Sequence, residues 1–249
     1  MSLSTLRSPL PWLGALLALY LVVPIVAFGA RIAGSANPGF STPGLLSALY
    51  VSVATATIST AIVAVLGIPL AYLLARSHGR LSTVVGLLVQ LPLALPPLIS
   101  GVLLIYVIGP YTTIGQAFGG HLTDSMTGIV LAQTFVSAPF VIVAARAGFA
   151  TVDTELADLA TTLGHREVSR FWRVSLPLAG PGVRAGLVLG WLRAFGEYGA
   201  IVILAYHPSA LTVFTYNQFS GAGITTTEAP TALALGVAVV VAIIAAVGA

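Results

Sequence analysis

Residues 151–177 read TVDTELADLATTLGHREVSRFWRVSLP, and this one polar stretch in an otherwise apolar chain decides how the rest is read. It holds four of the seven acidic residues and three of the ten arginines. Leu156, Leu159, Ala160 and Leu163 follow the i, i+3, i+4, i+7 spacing of a helix with one apolar face. Asp153 or Thr154 is placed to cap its start, and acidic residues in the first turn suit the helix dipole. Gly164 then ends it as a C′ glycine would. A second short helix is expected from His165 to Val174, running up to Leu176-Pro177. The stretch reads as a stiff helix–turn–helix lying outside a membrane. The plainer alternative is an amphipathic loop at the membrane interface.

On either side the sequence is nearly uncharged. Of 249 residues, 57% are hydrophobic and 7% charged, with a mean hydropathy of +1.02. A soluble domain carries about 25% charged residues, so lipid must solvate much of this surface. The absence of cysteine excludes disulfides, thiolate metal sites and thiol catalysis. The net charge of +3 is spread along a membrane chain and does not point to nucleic acid.

Charge-poor runs at 10–30, 45–75, 81–109, 126–149, 178–205 and 230–249 are each near or above the ~20 residues a spanning helix needs. No ~10-residue alternating segments of a β-barrel are visible. With the N-terminus inside, Arg7, Arg76, Arg80, Arg146, Arg166, Arg170, Arg173 and Arg184 fall on the cytoplasmic side. Only Arg31 falls outside, and Arg193 lies within the fifth run. This bias orients six helices with both termini cytoplasmic. The first run also has signal-peptide features, with Arg7 ahead of it and small residues over Ala27–Ala30. Its apolar stretch exceeds the usual ~7–15-residue core, so it is expected to stay as a helix. The sixth run reaches Ala249 without a basic anchor, which leaves open whether the chain continues.

Asp158-Leu159-Ala160, three residues, Gly164, nine residues, then Val174-Ser175-Leu176-Pro177 resembles the EAA motif of ABC importer permeases (E-A-A, x3, G, x9, I-x-L-P). Asp stands for Glu, Leu for Ala and Val for Ile, while Gly164 and Leu176-Pro177 match unchanged. The resemblance implies an all-α membrane protein with the type I ABC importer fold: one transmembrane domain over 1–249, with 151–177 as its cytoplasmic coupling segment. It implies that Asp158, Leu159, Ala160, Gly164, Val174, Leu176 and Pro177 dock the chain on an ABC ATPase dimer. The chain has no G-x-x-x-x-G-K-[ST] and no lysine to complete one, so ATP and Mg belong to that partner and no cofactor is expected here.

Two further stretches bear on the substrate. Leu91-Pro92-Leu93-Ala94-Leu95-Pro96-Pro97, with Ser100-Gly101 and Gly109 beyond, is similar to a pattern of molybdate permeases. Arg193-Ala194-Phe195-Gly196-Glu197-Tyr198-Gly199 is similar to a segment of molybdate, tungstate and sulfate permeases. The resemblance spans about residues 45–249. It implies a second copy of the permease, an external oxyanion-binding protein and residence in the cell inner membrane.

The residues have their own physical reading. Pro96-Pro97 must break a helix, either as a packing kink or as a kink beside the translocation pathway. Arg193 and Glu197, at i and i+4, can pair, either to fix a helix or to meet an anion. Ser100, Thr112, Thr113 and Gln133 offer neutral hydrogen bonds to an oxyanion, or ordinary interhelical contacts. His78, His121, His165 and His207 show no metal spacing. Residues 206–229 are expected in an outer loop, as a docking site for the binding protein or a plain linker. Sulfate or thiosulfate import, an ion-driven secondary transporter and an intramembrane enzyme are the competing functions.

Overall fold

A computed structural model describes residues 10–162 and 164–247. The helices are α1 (Leu10–Ala33), α2 (Leu45–Arg76), α3 (Arg80–Ala94), α4 (Pro97–Ile108), α5 (Thr113–Ala117) and α6 (Met126–Ala150). There follow α7 (Thr154–Thr162), α8 (Glu167–Arg170), a π-helical segment (Phe171–Ser175), α9 (Leu176–Leu178), α10 (Gly180–Phe195), α11 (Gly199–Leu204), α12 (Leu211–Ala222) and α13 (Glu228–Val247). No strand occurs among the described residues.

Among the described residues four helices are long and apolar enough to cross a membrane: α1, α2, α6, and α13 with the 3-10 turn Ile224–Thr227 that leads into it. The other two expected spans are not continuous. The 81–109 run divides into α3 and α4, whose axes bend by 118°. Leu95 is extended (φ −85°, ψ 135°), as a residue before proline prefers. Pro96 follows outside the helix, and Pro97 occupies the first turn of α4, where a missing N–H costs nothing. The 178–205 run divides at 196–198 into α10 and α11. Single prolines at Pro24, Pro69, Pro92 and Pro139 sit inside helices, so it is the paired Pro96-Pro97 that breaks one.

α2 and α6 pack side by side, with α10 against α6. The α6–α10 contact is made by small residues: a Cβ on Gly182 would lie 2.7 Å from Gly148 Cα, and one on Gly186 would lie 3.0 Å from the Val141 carbonyl. Such close backbone approach is how helices associate where lipid removes the usual hydrophobic drive. α2 and α6 end at one pole of the bundle, where the Arg76 guanidinium donates to the Val152 carbonyl at 3.1 Å. α10 begins there too, so Arg76, Arg80, Arg146 and Arg184 gather at this arginine-rich pole. At the opposite pole Asp124 N–H donates to the Leu204 carbonyl, and Arg31 at the end of α1 pairs with Glu228 at the start of α13 (2.9 Å). α1 buries none of its residues within the chain.

Candidate functional site

Two structures stand out at different depths. The first is the polar segment at the arginine-rich pole. Asp153 caps α7, its carboxylate accepting from the Glu155 N–H at 2.9 Å. Gly164 has φ +84° and donates its N–H to the Thr161 carbonyl, the left-handed helix stop that its type suggests. Leu163 lies outside the described residues, as do the side chains of Asp158 and Ala160. On α7 the Leu156 and Leu159 side chains are exposed, as are Val168 and Trp172 on the second arm. The two arms are tied where Arg170 donates to the Thr161 hydroxyl (2.9 Å), while His165 bonds Ser169 within the second.

The second arm is shorter as an α-helix than expected. Only Glu167–Arg170 is α-helical, and the chain then widens into the π-helical Phe171–Ser175. That turn buries Phe171 while leaving neighbouring Trp172 exposed. The Phe171 ring meets Tyr72 of α2 edge-on at 5.1 Å and Phe149 of α6 at 6.0 Å, and Tyr72 and Phe149 meet at 5.3 Å. Each such aromatic pair adds about 0.5–1.5 kcal/mol beyond area burial. Sequence reasoning missed Phe171; the available signal was a lone phenylalanine in an arginine-rich stretch. Val174 and Leu176 are half-buried, and Pro177 is exposed in the first turn of α9.

The second structure is the meeting of the two helix breaks. α4 lies against α11 so closely that a Cβ on Gly199 would sit 2.8 Å from Pro97 Cβ. Pro97, Ser100, Arg193 and Glu197 are thereby gathered around one junction, with Pro96 at the end of the preceding elbow. Arg193 Nη1 pairs with Glu197 Oε2 at 2.5 Å. Glu197 is 1% exposed, and its other oxygen accepts from the Ala200 N–H at 2.7 Å, capping α11. Its backbone carbonyl accepts from the Thr212 hydroxyl. Glu197 is thus a structural brace, and the pair it makes is internally neutral. Ser100 is fully buried, and its Oγ meets no hydrogen-bond partner among the described residues.

Gln133 is buried and spent on helix contacts: its amide donates to the Ala194 carbonyl at 3.0 Å and its oxygen faces Ser59. Thr112 caps α5, which begins at Thr113. The 206–229 stretch is no plain linker. It contains α12, pinned where the Leu211 N–H donates to Ser52 Oγ at 2.7 Å. His207 lies beside Asp124 at 3.5 Å, and no group of side chains suited to a metal occurs among the described residues.

Residues 67–249 match the family model described as "Binding-protein-dependent transport system inner membrane component". The chain is 40% identical over 228 residues to a probable molybdenum ABC transporter permease protein of Haloferax volcanii, covering 91% of this chain and 84% of that one. It is 37% identical to the molybdenum transport system permease protein ModB of Mycobacterium tuberculosis, covering 90% and 87%. It is 32% identical to the molybdate/tungstate transport system permease protein WtpB of Pyrococcus abyssi, covering 90% and 88%. Among solved structures, a bacterial alginate ABC transporter in complex with its alginate-bound periplasmic protein aligns with TM-score 0.71 at 17% identity, over 94% of this chain and 92% of that one. The MetNI methionine ABC transporter aligns with TM-score 0.67 at 19% identity, over 81% and 92%.

Proposed function

The chain belongs to the family of binding-protein-dependent transport system inner membrane components, and from that premise we propose that it is the permease subunit of an ATP-driven importer for molybdate and tungstate. Its fold is that of a type I ABC importer transmembrane domain, and it is a multi-pass membrane protein. The substrate comes from the names of the relatives. In this reading the whole chain is one transmembrane domain with both termini in the cytoplasm, paired with a second copy. A separate ATPase dimer binds ATP and Mg, and an external binding protein delivers the oxyanion near 206–229.

The observation that carries the mechanism is the aromatic wedge in which Phe171 packs against both Tyr72 and Phe149. The docking surface for the ATPase is α7 and its turn: Asp158, Leu159, Ala160 and Gly164, backed by Val174, Leu176 and Pro177. When the ATPase dimer closes it displaces α7. The wedge passes that displacement to the ends of α2 and α6, because packed rings shift as a unit. α6 carries α10 through the glycine contact, and α10 leads directly to the junction of the two breaks. There Pro96, Pro97, Ser100, Arg193 and Glu197 line or shape the translocation pathway. A pore needs weak binding, and Glu197 cancels the charge of Arg193, so the oxyanion meets no deep electrostatic trap.

The substrate test is calorimetry of the cognate binding protein against molybdate, tungstate and sulfate, paired with uptake of each by the reconstituted transporter. Molybdate and tungstate are expected to bind and cross. Binding and uptake of sulfate alone would refute the assignment.

A further inference from the structure

A groove of about 420 Å³ opens between α2 and α3 at the arginine-rich pole, apart from the junction; Leu70, Leu74 and Val85 of its lining also pack with the cluster that holds Tyr72, Phe149 and Phe171. Its walls are apolar, with Leu70 and Leu73 from α2 and Leu81 and Val85 from α3. Its mouth is at the α2–α3 turn, with His78 in the turn and Arg80 at the start of α3. Both of these side chains are exposed, and no acidic side chain among the described residues pairs with either. Arg80 differs in this from Arg31 and Arg193, which are neutralised by Glu228 and Glu197.

We infer that this groove binds an anionic phospholipid. Water on leucine walls is unfavourable, and in a membrane chain the surrounding solvent that fits them is an acyl chain. The mouth sits where the bundle turns at its pole, the level of headgroups. There the Arg80 guanidinium donates to a phosphodiester, with the His78 imidazole beside it. A zwitterionic headgroup would bring a cation against the same guanidinium, so the charge pattern selects a net-negative lipid. The apolar walls commit the site to a lipid rather than free phosphate. The bound lipid would fill the angle between α2 and α3, the helix that leads to the Pro96-Pro97 elbow.

The test uses the assembled transporter, delipidated in detergent, with binding read by native mass spectrometry and thermal shift. The probes are phosphatidylglycerol, phosphatidylcholine and inorganic phosphate. Phosphatidylglycerol is expected to bind and raise the melting temperature, and the other two are not. Arg80→Gln should weaken phosphatidylglycerol about fivefold, the worth of one surface arginine near anionic lipid. Arg80→Lys should keep most of the affinity, and His78→Gln should weaken it in the same direction as Arg80→Gln. Equal binding of phosphatidylcholine, equal stabilisation by inorganic phosphate, or unchanged phosphatidylglycerol affinity in both Arg80→Gln and His78→Gln would overturn the inference.

Discussion

Gly101 of α4 faces Ala200 of α11 backbone to backbone: a side-chain carbon at Gly101 would lie 2.8 Å from the Ala200 carbonyl oxygen. The helices that follow the two breaks therefore approach closely because Gly101 has no side chain. Gly101→Ala should cost about 1–3 kcal/mol through overpacking. A thermal melt in detergent checks this against Gly236→Ala, where an added carbon meets nothing within 4 Å and the melting temperature should hold.

Phe171→Ala removes the ring that packs against both Tyr72 and Phe149. Truncations of this kind typically cost about 3–5 kcal/mol. The reading of Phe171 as a transmission element predicts more than lost stability. The molybdate transported per ATP hydrolysed should fall in Phe171→Ala and recover in Phe171→Tyr. Uptake and hydrolysis declining in strict proportion would mean that the residue only holds the fold.

Glu197 does two jobs and Arg193 one, and their truncations strand different groups. Glu197→Ala leaves Arg193 without its partner and uncaps α11 at the Ala200 N–H. Breaking a buried pair in this way costs about 3–5 kcal/mol. Arg193→Ala instead leaves the Glu197 carboxylate, 1% exposed, as an uncompensated buried charge and should cost at least as much, whereas the guanidinium left by Glu197→Ala is already 25% exposed. Denaturation of both single variants and the double variant gives the coupling, expected at about 1–3 kcal/mol.

Gly164 holds φ +84°, a conformation proline cannot reach. Gly164→Pro should abolish transport and ATPase association while leaving membrane insertion intact. Gly164→Asn, which tolerates the left-handed region, should retain both. Pull-down of the ATPase with each variant decides it, and full association of Gly164→Pro would remove the turn from the docking surface.

The sequence made four spans legible because each is a single run of apolar residues with no internal break. Pro96-Pro97 announced a break, but the 118° bend depends on what α4 packs against, and α11 lies about a hundred residues downstream. The interruption at Glu197 was invisible, since its cap and its ion pair exist only once the chain has folded around it. α12 was hidden because its buried face is set by α2, through Ser52. The Gly182, Gly186, Gly190 repeat at four-residue spacing was a readable sign of close helix packing and went unread. In the 151–177 segment the Asp153 cap and the Gly164 stop followed from residue type alone. The packing of Phe171 did not, because a π turn and two partners from distant helices make it.

The most direct test of the central claim is molybdate uptake into proteoliposomes holding this chain and its binding protein, with and without the ATPase. Uptake is expected only when the ATPase and ATP are both present, and it should be indifferent to collapse of ion gradients. Uptake without the ATPase, driven by an ion gradient, would contradict the account.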